Sequence, residues 1–123
     1  MIFMQDNFSL YNYRAKVVGV YDGDSITIDI DLGLGVWVKG QKCRLSGINT
    51  PEIRGEERVE GLKAKMRLSG LILGKQVAIT TEKDKTGKYG RWLATIWDLN
   101  DDGVWVNINK LLLSEGYAEV YGK

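Results

Sequence analysis

The segment that decides the fold is Ser25-Ile26-Thr27-Ile28-Asp29-Ile30. Its three isoleucines alternate with polar residues, and a period of two is typical of a strand with one buried face. A second alternating segment, residues 76–80, follows Gly74. Three more predicted strands are rich in β-branched and aromatic residues and are bounded by Gly or Asp: residues 13–20, 36–45 and 91–98. The sequence therefore predicts five strands.

Two helices are predicted beside these strands. Residues 56–73 carry apolar side chains at helical spacing, and Gly74 is placed to end the helix. The spacing is given by Val59, Leu62, Met66 and Leu73. A second helix is predicted after Asn107, a residue suited to cap it, with an end at Gly116. Its apolar face consists of Ile108, Leu111 and Leu112.

The order of these elements predicts a mainly β fold. Five strands with a helix after the third and another near the C-terminus match a five-stranded OB-type barrel. The strands do not alternate with helices, which argues against a βαβ sandwich. A chain of 123 residues is long enough for one core. We therefore expect a single domain over residues 1–123, with residues 1–12 as an N-terminal extension.

Composition limits the chemistry. Seventeen basic and sixteen acidic residues give a formal charge of +1, so a polyanion would have to be held locally. The chain has no His, and its one cysteine, Cys43, excludes an internal disulfide and a multi-cysteine zinc site. We expect Cys43 to be buried in the core. The sequence starts without a basic region followed by an apolar stretch, and it has no segment of membrane-spanning length. A cytoplasmic location is expected, or secretion if an export signal was removed.

Residues that could donate oxygen ligands to a metal ion cluster in two segments, Asp22-Gly23-Asp24-Ser25 and Arg44 to Glu52. By itself the first is an ordinary turn. In the second, Pro51 fixes one backbone angle and favours an extended Thr50, which makes a rigid corner. A hard cation such as Ca²⁺ prefers oxygen ligands. Asp24, Asn49 and the Thr50 carbonyl could supply three of them.

Together with Lys88-Tyr89-Gly90-Arg91, these segments resemble the staphylococcal nuclease (thermonuclease) family. The resemblance covers residues 13–121 and includes the OB barrel. It implies that Asp24, Asn49 and the Thr50 carbonyl bind Ca²⁺. Asn49 departs from the family pattern, which has Asp, and removes one negative charge from the site. We therefore predict weaker or more phosphate-dependent metal binding than at a site with two Asp.

The resemblance also implies roles for the remaining residues. Glu52 would be the general base that activates the attacking water, although a solvated Glu before a helix is the plainer interpretation. Arg44 and Arg91 would stabilise the transition state, although an Arg on the outer face of a barrel needs no such role. Lys88 and Tyr89 would contact the terminal phosphate. Tyr117 and Tyr121 lie near the family's C-terminal substrate tyrosines, and Tyr121 is taken as the substrate contact. The tryptophans are expected to pack rather than to stack on bases: Trp92, Trp97 and Trp105.

These roles imply a calcium-dependent endonuclease. Its substrate would be DNA, preferably single-stranded, with RNA left open, its products would end in 3′-phosphate, and it would act as a monomer. The alternative is a nuclease-like OB module that binds nucleic acid or a protein without cleavage, and the change at Asn49 favours it. A third interpretation is a calcium-binding structural domain, since residues 98–103 match half of an EF-hand loop. The twelfth position of that loop is Asn109 instead of Glu, so we predict a hairpin turn there.

Overall fold

The computed structural model describes residues 11–83 and 91–121. Its strands in chain order are β1 (Asn12–Asp22), β2 (Ser25–Gly33), β3 (Val36–Leu45), β4 (Ile48–Asn49), β5 (Gln76–Lys83), β6 (Trp92–Leu99), β7 (Trp105–Asn107) and β8 (Glu119–Val120). A one-turn 3-10 helix, Gly55–Glu57, precedes helix α1 (Arg58–Ile72), and helix α2 (Ile108–Ser114) follows β7.

Five of the strands form a closed barrel. They are neighbours in the order β3-β2-β1-β5-β6, with antiparallel pairing throughout, and a parallel pairing of β3 with β6 closes the barrel. Closure leaves these strands without a long unpaired edge. The predicted five-stranded OB-type barrel, with a helix after the third long strand and another near the C-terminus, is confirmed.

The alternating residues fill the barrel as their period predicts. Ile26, Ile28 and Ile30 are buried, and residues of the other strands join them in one core. Cys43 belongs to that core, and burial raises the pKa of its thiol to about 12. The prediction that Cys43 is a buried thiol is confirmed, and the thiol stays protonated at neutral pH.

The buried Asn109 secures the junction between β3 and β6. Its Nδ2 donates to the carbonyls of Ser46 (2.9 Å) and Ala94 (3.0 Å), and its Oδ1 accepts from the Ile96 N–H (3.1 Å). All of its amide atoms are therefore used where the barrel closes. Burial of a polar side chain is favourable when its hydrogen bonds are made in this way.

Helix α1 begins two residues later than predicted, because the preceding turn is a 3-10 helix. The face that it buries also differs from its apolar spacing. Gly61, Ala64, Leu68 and Ile72 are its buried residues, whereas Val59 and Met66 are 64% and 72% exposed. Small residues near its start let α1 approach the chain beneath it more closely than large apolar side chains would.

The C-terminal elements agree with their predictions. The Asn107 side chain accepts from the Lys110 N–H (3.0 Å) and caps α2, and Gly116, at φ +84°, follows the helix end. Residues 98–103 include the end of β6 and most of the turn to its antiparallel partner β7, so the predicted hairpin turn is confirmed. Among the described residues, neither helix is long and apolar enough to cross a membrane.

Candidate active site

Some of the predicted site residues line one cleft of about 440 Å³. It lies between the β1–β2 turn, the end of β3 and the corner that follows β4. Its lining includes five of them: Asp24, Arg44, Asn49, Glu52 and Arg91. These residues are up to 67 positions apart in the sequence, counting from Asp24 to Arg91, and closure of the barrel brings them together.

Close packing of the turn between β1 and β2 fixes the position of Asp24. A Cβ added at Gly23 would lie 2.7 Å from the Ala64 Cβ and 2.8 Å from the Thr50 hydroxyl oxygen, so a larger residue would displace the turn. The Asp24 Oδ2 accepts from the Thr50 N–H (3.0 Å), and its Oδ1 accepts from the Ser25 hydroxyl (3.3 Å). Asp24 is thereby fixed against the corner that carries Thr50.

Arg44 links the parts of the cleft. Its Nη1 donates to the Ile48 carbonyl (3.0 Å) and its Nη2 to the Asn49 Oδ1 (2.9 Å). The same Nη2 lies 3.5 Å from the Asp24 Oδ2, and both side chains of this ion pair are largely shielded from solvent. Little water screens a pair in such a position, so its attraction is stronger than on an open surface.

Two short strands place Asn49 and Tyr121. Strands β4 and β8 pair with Asn49 opposite Glu119, and the Tyr121 N–H donates to the Gly47 carbonyl (2.9 Å). The Arg44 guanidinium lies 4.4 Å from the centre of the Tyr121 ring. Tyr121 is thus beside the cleft through a cation–π contact. Tyr117 instead packs against the core.

The donor set suits a hard cation. Asp24 offers a carboxylate, Asn49 an amide oxygen and Thr50 a main-chain carbonyl, which are the ligand types that Ca²⁺ takes. The Asp24 Oδ2 and the Asn49 Oδ1 both face the Arg44 Nη2, so these two oxygens already converge on one positively charged atom. Within residues 11–83 and 91–121, no three acidic, His or Cys side chains form a metal-binding group. The three donors are of the types that calcium takes, and together they carry one negative charge.

Glu52 is exposed at the rim of the cleft. Its N–H donates to the Glu57 Oε1 (2.9 Å), and Pro51 precedes it. The main-chain N–H is therefore held in place while the side chain is exposed to solvent. Arg91 is half-buried immediately before β6. Lys88 and Tyr89 lie outside the described residues.

Asp22 is a cleft residue that the sequence left without a role. It is 9% exposed, and its Oδ1 accepts from the Asp24 N–H (3.1 Å). Burial, and then the neighbouring Asp24, raise its pKa to about 6. In the sequence, the feature that could have indicated a role for Asp22 is the occurrence of two Asp residues in the β1–β2 turn. Tyr21 and Lys42 also line the cleft, and neither lies in a motif that marked it.

A larger apolar cavity of about 650 Å³ shares no lining residue with the cleft. Its walls include Tyr11, Tyr13, Leu32 and Trp92. Trp92 therefore contributes to this cavity rather than to the cleft. The larger cavity is not the candidate active site, because the predicted ionisable site residues line the smaller cleft.

A family model described as staphylococcal nuclease homologue matches residues 42–123. The chain belongs to this family. Among the described residues, the match covers the end of β3 and every later element of the staphylococcal nuclease homologue fold. Asp24 lies before the matched range, and its hydrogen bond with Thr50 joins it to the matched part.

Two relatives of this staphylococcal nuclease homologue are similar over much of its length. The "Uncharacterized protein MJ1439" of Methanocaldococcus jannaschii is 34% identical over 131 residues, which cover 89% of this chain and 60% of the relative. The "Thermonuclease" of Staphylococcus hyicus is 32% identical over 85 residues, which cover 67% of this chain and 47% of the relative. The chain thus spans between about half and three fifths of the length of these relatives.

Proposed function

We propose that the protein is a calcium-dependent endonuclease that hydrolyses phosphodiester bonds of single-stranded DNA and leaves 3′-phosphate ends. RNA is a second substrate to test beside DNA. We propose that the protein acts as a monomer. The observation that carries the proposal is the convergence of Asp24, Arg44, Asn49, Glu52 and Arg91 on one cleft. Membership of a nuclease family supports it.

Asp24, Asn49 and the Thr50 carbonyl would hold the calcium ion. When bound, calcium supplies Lewis-acid polarisation of a phosphate oxygen and offsets part of its charge. The packing of Gly23 against Ala64 and Thr50 supports this assignment, because it fixes the Asp24 carboxylate before any ligand arrives. Asn49 contributes an oxygen without a charge.

Glu52 would take the proton of the attacking water. The water oxygen forms a bond to phosphorus while the bond from phosphorus to the 5′ oxygen breaks, which leaves the phosphate on the 3′ side. The 5′ oxygen departs and takes up a proton. Exposure of the Glu52 carboxylate at the rim of the cleft supports this role, since it leaves room for a water between the carboxylate and a bound phosphate.

Arg44 and Arg91 would bind the phosphate and stabilise the extra negative charge of the five-coordinate transition state. A guanidinium group remains charged at all relevant pH values and offers paired donors to phosphate oxygens. Hydrogen bonds from Arg44 to Ile48 and Asn49 support this role, because they orient the group in advance. Lys88 and Tyr89 are proposed contacts of the terminal phosphate, and Tyr121 a proposed contact of the substrate.

A second candidate function is binding of nucleic acid without cleavage. Asn49 favours it, since position 49 contributes an oxygen ligand without a negative charge, and calcium affinity depends on the charge of its ligands. Retention of Glu52, Arg44 and Arg91 in the same cleft favours the enzyme. We therefore place cleavage first.

Cleavage of heat-denatured DNA in calcium tests the proposal. We expect calcium-dependent cleavage that a chelator stops and that Glu52→Gln abolishes, with products that end in 3′-phosphate. Glu56→Gln is the matched control, because Glu56 is an exposed acid nearby that does not line the cleft. A gel shift of the same DNA without cleavage by the wild-type protein would replace the enzyme with the binding module.

A further inference from the structure

The cleft extends beyond the candidate catalytic residues onto the outer face of β2 and β3. Tyr21, Thr27 and Lys42 line this extension. We propose that it is a second nucleotide subsite, in which Tyr21, held by Arg54, stacks on an unpaired base while Lys42 contacts phosphate. The inference rests on the proposed function, and it makes a single strand of at least two nucleotides the ligand.

A hydrogen bond at its hydroxyl restrains the side chain of Tyr21. Tyr21 is 54% exposed near the end of β1, and its hydroxyl accepts from the Arg54 Nη2 (3.1 Å). Arg54 follows Glu52 by two residues, so this hydrogen bond ties the ring to the segment that carries the proposed base. An exposed aromatic ring with limited freedom is suited to stack on a nucleobase.

The residue that lies beside this ring in the cleft, Thr27, has a short side chain. Gly19 pairs with Thr27, and Thr27 pairs with Lys42, in one row across β1, β2 and β3. Thr27 has a short side chain and lines the cleft together with Tyr21 and Lys42, so the cleft has space between the ring and the lysine. Lys42, at the far end of the row, is exposed.

The adjacent row contains Arg44. Ser25 pairs with Arg44 as Thr27 pairs with Lys42, so the two basic residues occupy successive positions on one face of β3. Two residues of a strand span about 7 Å. A flexible single strand can place neighbouring phosphates at that separation. Arg44 and Lys42 therefore give a phosphate chain two consecutive contacts.

The chemistry selects a single strand rather than a duplex. A base that stacks on Tyr21 must be unpaired, and stacking does not depend strongly on which base is present. The face of strands 2 and 3 is also where OB folds commonly bind oligonucleotides. The expected ligand is an oligonucleotide recognised with little sequence preference.

Fluorescence anisotropy with two probes in calcium tests the subsite. The probes carry a fluorescent label: a short oligodeoxythymidylate with phosphorothioate linkages that resist cleavage, which reaches both subsites, and a nucleoside 3′,5′-bisphosphate, which fills one. Tyr21→Ala is expected to weaken the oligonucleotide at least about fivefold and to leave the bisphosphate unchanged. Tyr21→Phe keeps the ring but loses the hydrogen bond from Arg54, so it is expected to weaken the oligonucleotide less than Tyr21→Ala does. Trp105→Ala, at a similarly exposed ring outside the cleft, retains binding.

Salt dependence tests the phosphate contact separately. Lys42→Gln is expected to reduce the slope of log affinity against log salt concentration by about 0.7 for the oligonucleotide. Lys39→Gln, an exposed lysine of the same strand that does not line the cleft, should leave the slope unchanged. Equal slopes for Lys42→Gln and the wild type would remove Lys42 from the subsite.

The outcomes separate this inference from the proposed function. If the wild-type protein binds neither probe, both are overturned. If it binds both probes and Tyr21→Ala weakens neither, or weakens both equally, the second subsite alone is overturned. Selective loss of the oligonucleotide supports the subsite whether or not the protein cleaves DNA, because the measurement is of binding. Circular dichroism of each variant shows that the fold is retained.

Discussion

Gly61 of helix α1 packs directly against the main-chain carbonyl of Glu52. A Cβ built at Gly61 would collide with that carbonyl oxygen and would also lie 2.9 Å from the Ile53 nitrogen. The helix therefore sets the position of the corner that carries the proposed base. A glycine within a helix costs about 1 kcal/mol relative to alanine, so at this position close approach outweighs helix propensity.

Gly61→Ala is expected to destabilise the protein and to reduce cleavage. The backbone of residues 52–53 or the helix must shift to admit the methyl group, and overpacking of this kind costs about 1–3 kcal/mol. A shift of Glu52 would also misplace the carboxylate relative to phosphate. Chemical denaturation and the initial rate of DNA cleavage measure the two effects.

Gly70→Ala in the same helix is the matched control. A Cβ at Gly70 would meet no atom of residues 11–83 and 91–121 within 4 Å, and the position is exposed. The substitution should therefore stabilise the protein by up to about 1 kcal/mol through helix propensity, with activity unchanged. Equal stabilisation by Gly61→Ala would show that α1 does not constrain Glu52.

Asn49→Asp is expected to increase calcium affinity. The Asn49 Oδ1 already faces Arg44, and an Asp keeps that acceptor while it adds a negative charge to the metal-binding oxygens. A gain of about 1 kcal/mol, or about fivefold in affinity, is the scale of one charge interaction at 4 Å in water. Isothermal titration calorimetry with calcium measures it.

The control for this charge is Asn107→Asp. Asp caps helices as well as Asn does, so the variant adds the same charge outside the cleft without loss of the cap of α2. Unchanged calcium affinity is expected for it. If Asn49→Asp also left the affinity unchanged, Asn49 would not be a calcium ligand.

The barrel could be predicted from sequence because the pattern that specifies each strand is local to that strand. Ile26, Ile28 and Ile30 alternate along one strand, and this period needs no knowledge of the partner strands. The buried face of α1 could not be predicted in the same way. Val59 and Met66 have the spacing and hydrophobicity of a core face, but contact at Gly61 with the chain below decides which side is buried.

The same distinction holds for the candidate site. Motif order predicted a set of candidate site residues, and three of them, Asp24, Arg44 and Glu52, do lie in one cleft. The contact of Arg44 with both Asp24 and Asn49 depends on how β3 and β4 meet, which spacing does not encode. Tyr21 lies next to a motif, and its place in the cleft and the hydrogen bond from Arg54 distinguish it from the exposed Tyr11. The roles of Lys88 and Tyr89 remain predictions.

Asn109→Ala is expected to destabilise the barrel without a direct effect on the cleft. The Ile96 N–H would lose its buried acceptor, and an unsatisfied buried donor costs about 1–3 kcal/mol. The Ser46 and Ala94 carbonyls would lose a donor as well. The midpoint of denaturant unfolding measures the loss. Lys110→Ala, the exposed neighbour in α2, should stay within about 0.5 kcal/mol of the wild type, and equal midpoints for both variants would contradict the role of Asn109.

The raised pKa of Asp22 predicts how stability depends on pH in the presence of a chelator. The carboxyl has a pKa of about 6 in the folded protein and an ordinary value of 3.8, because burial and then Asp24 disfavour its ionised form. The folded state therefore holds this proton more tightly than the unfolded state. The stabilisation from this group is complete below pH 3.8 and is lost as pH rises through about 6.

Asp22→Asn removes this titration and isolates it. Across that interval the free energy of unfolding of the wild type should fall relative to the variant as pH rises, and denaturant unfolding at a series of pH values measures the difference. Asp101→Asn, at an exposed Asp of the β6–β7 turn, should follow the wild-type profile. Parallel profiles for Asp22→Asn and the wild type would mean that the Asp22 proton is bound equally in both states. Burial and the neighbouring Asp24 would then not change the pKa of Asp22 on folding.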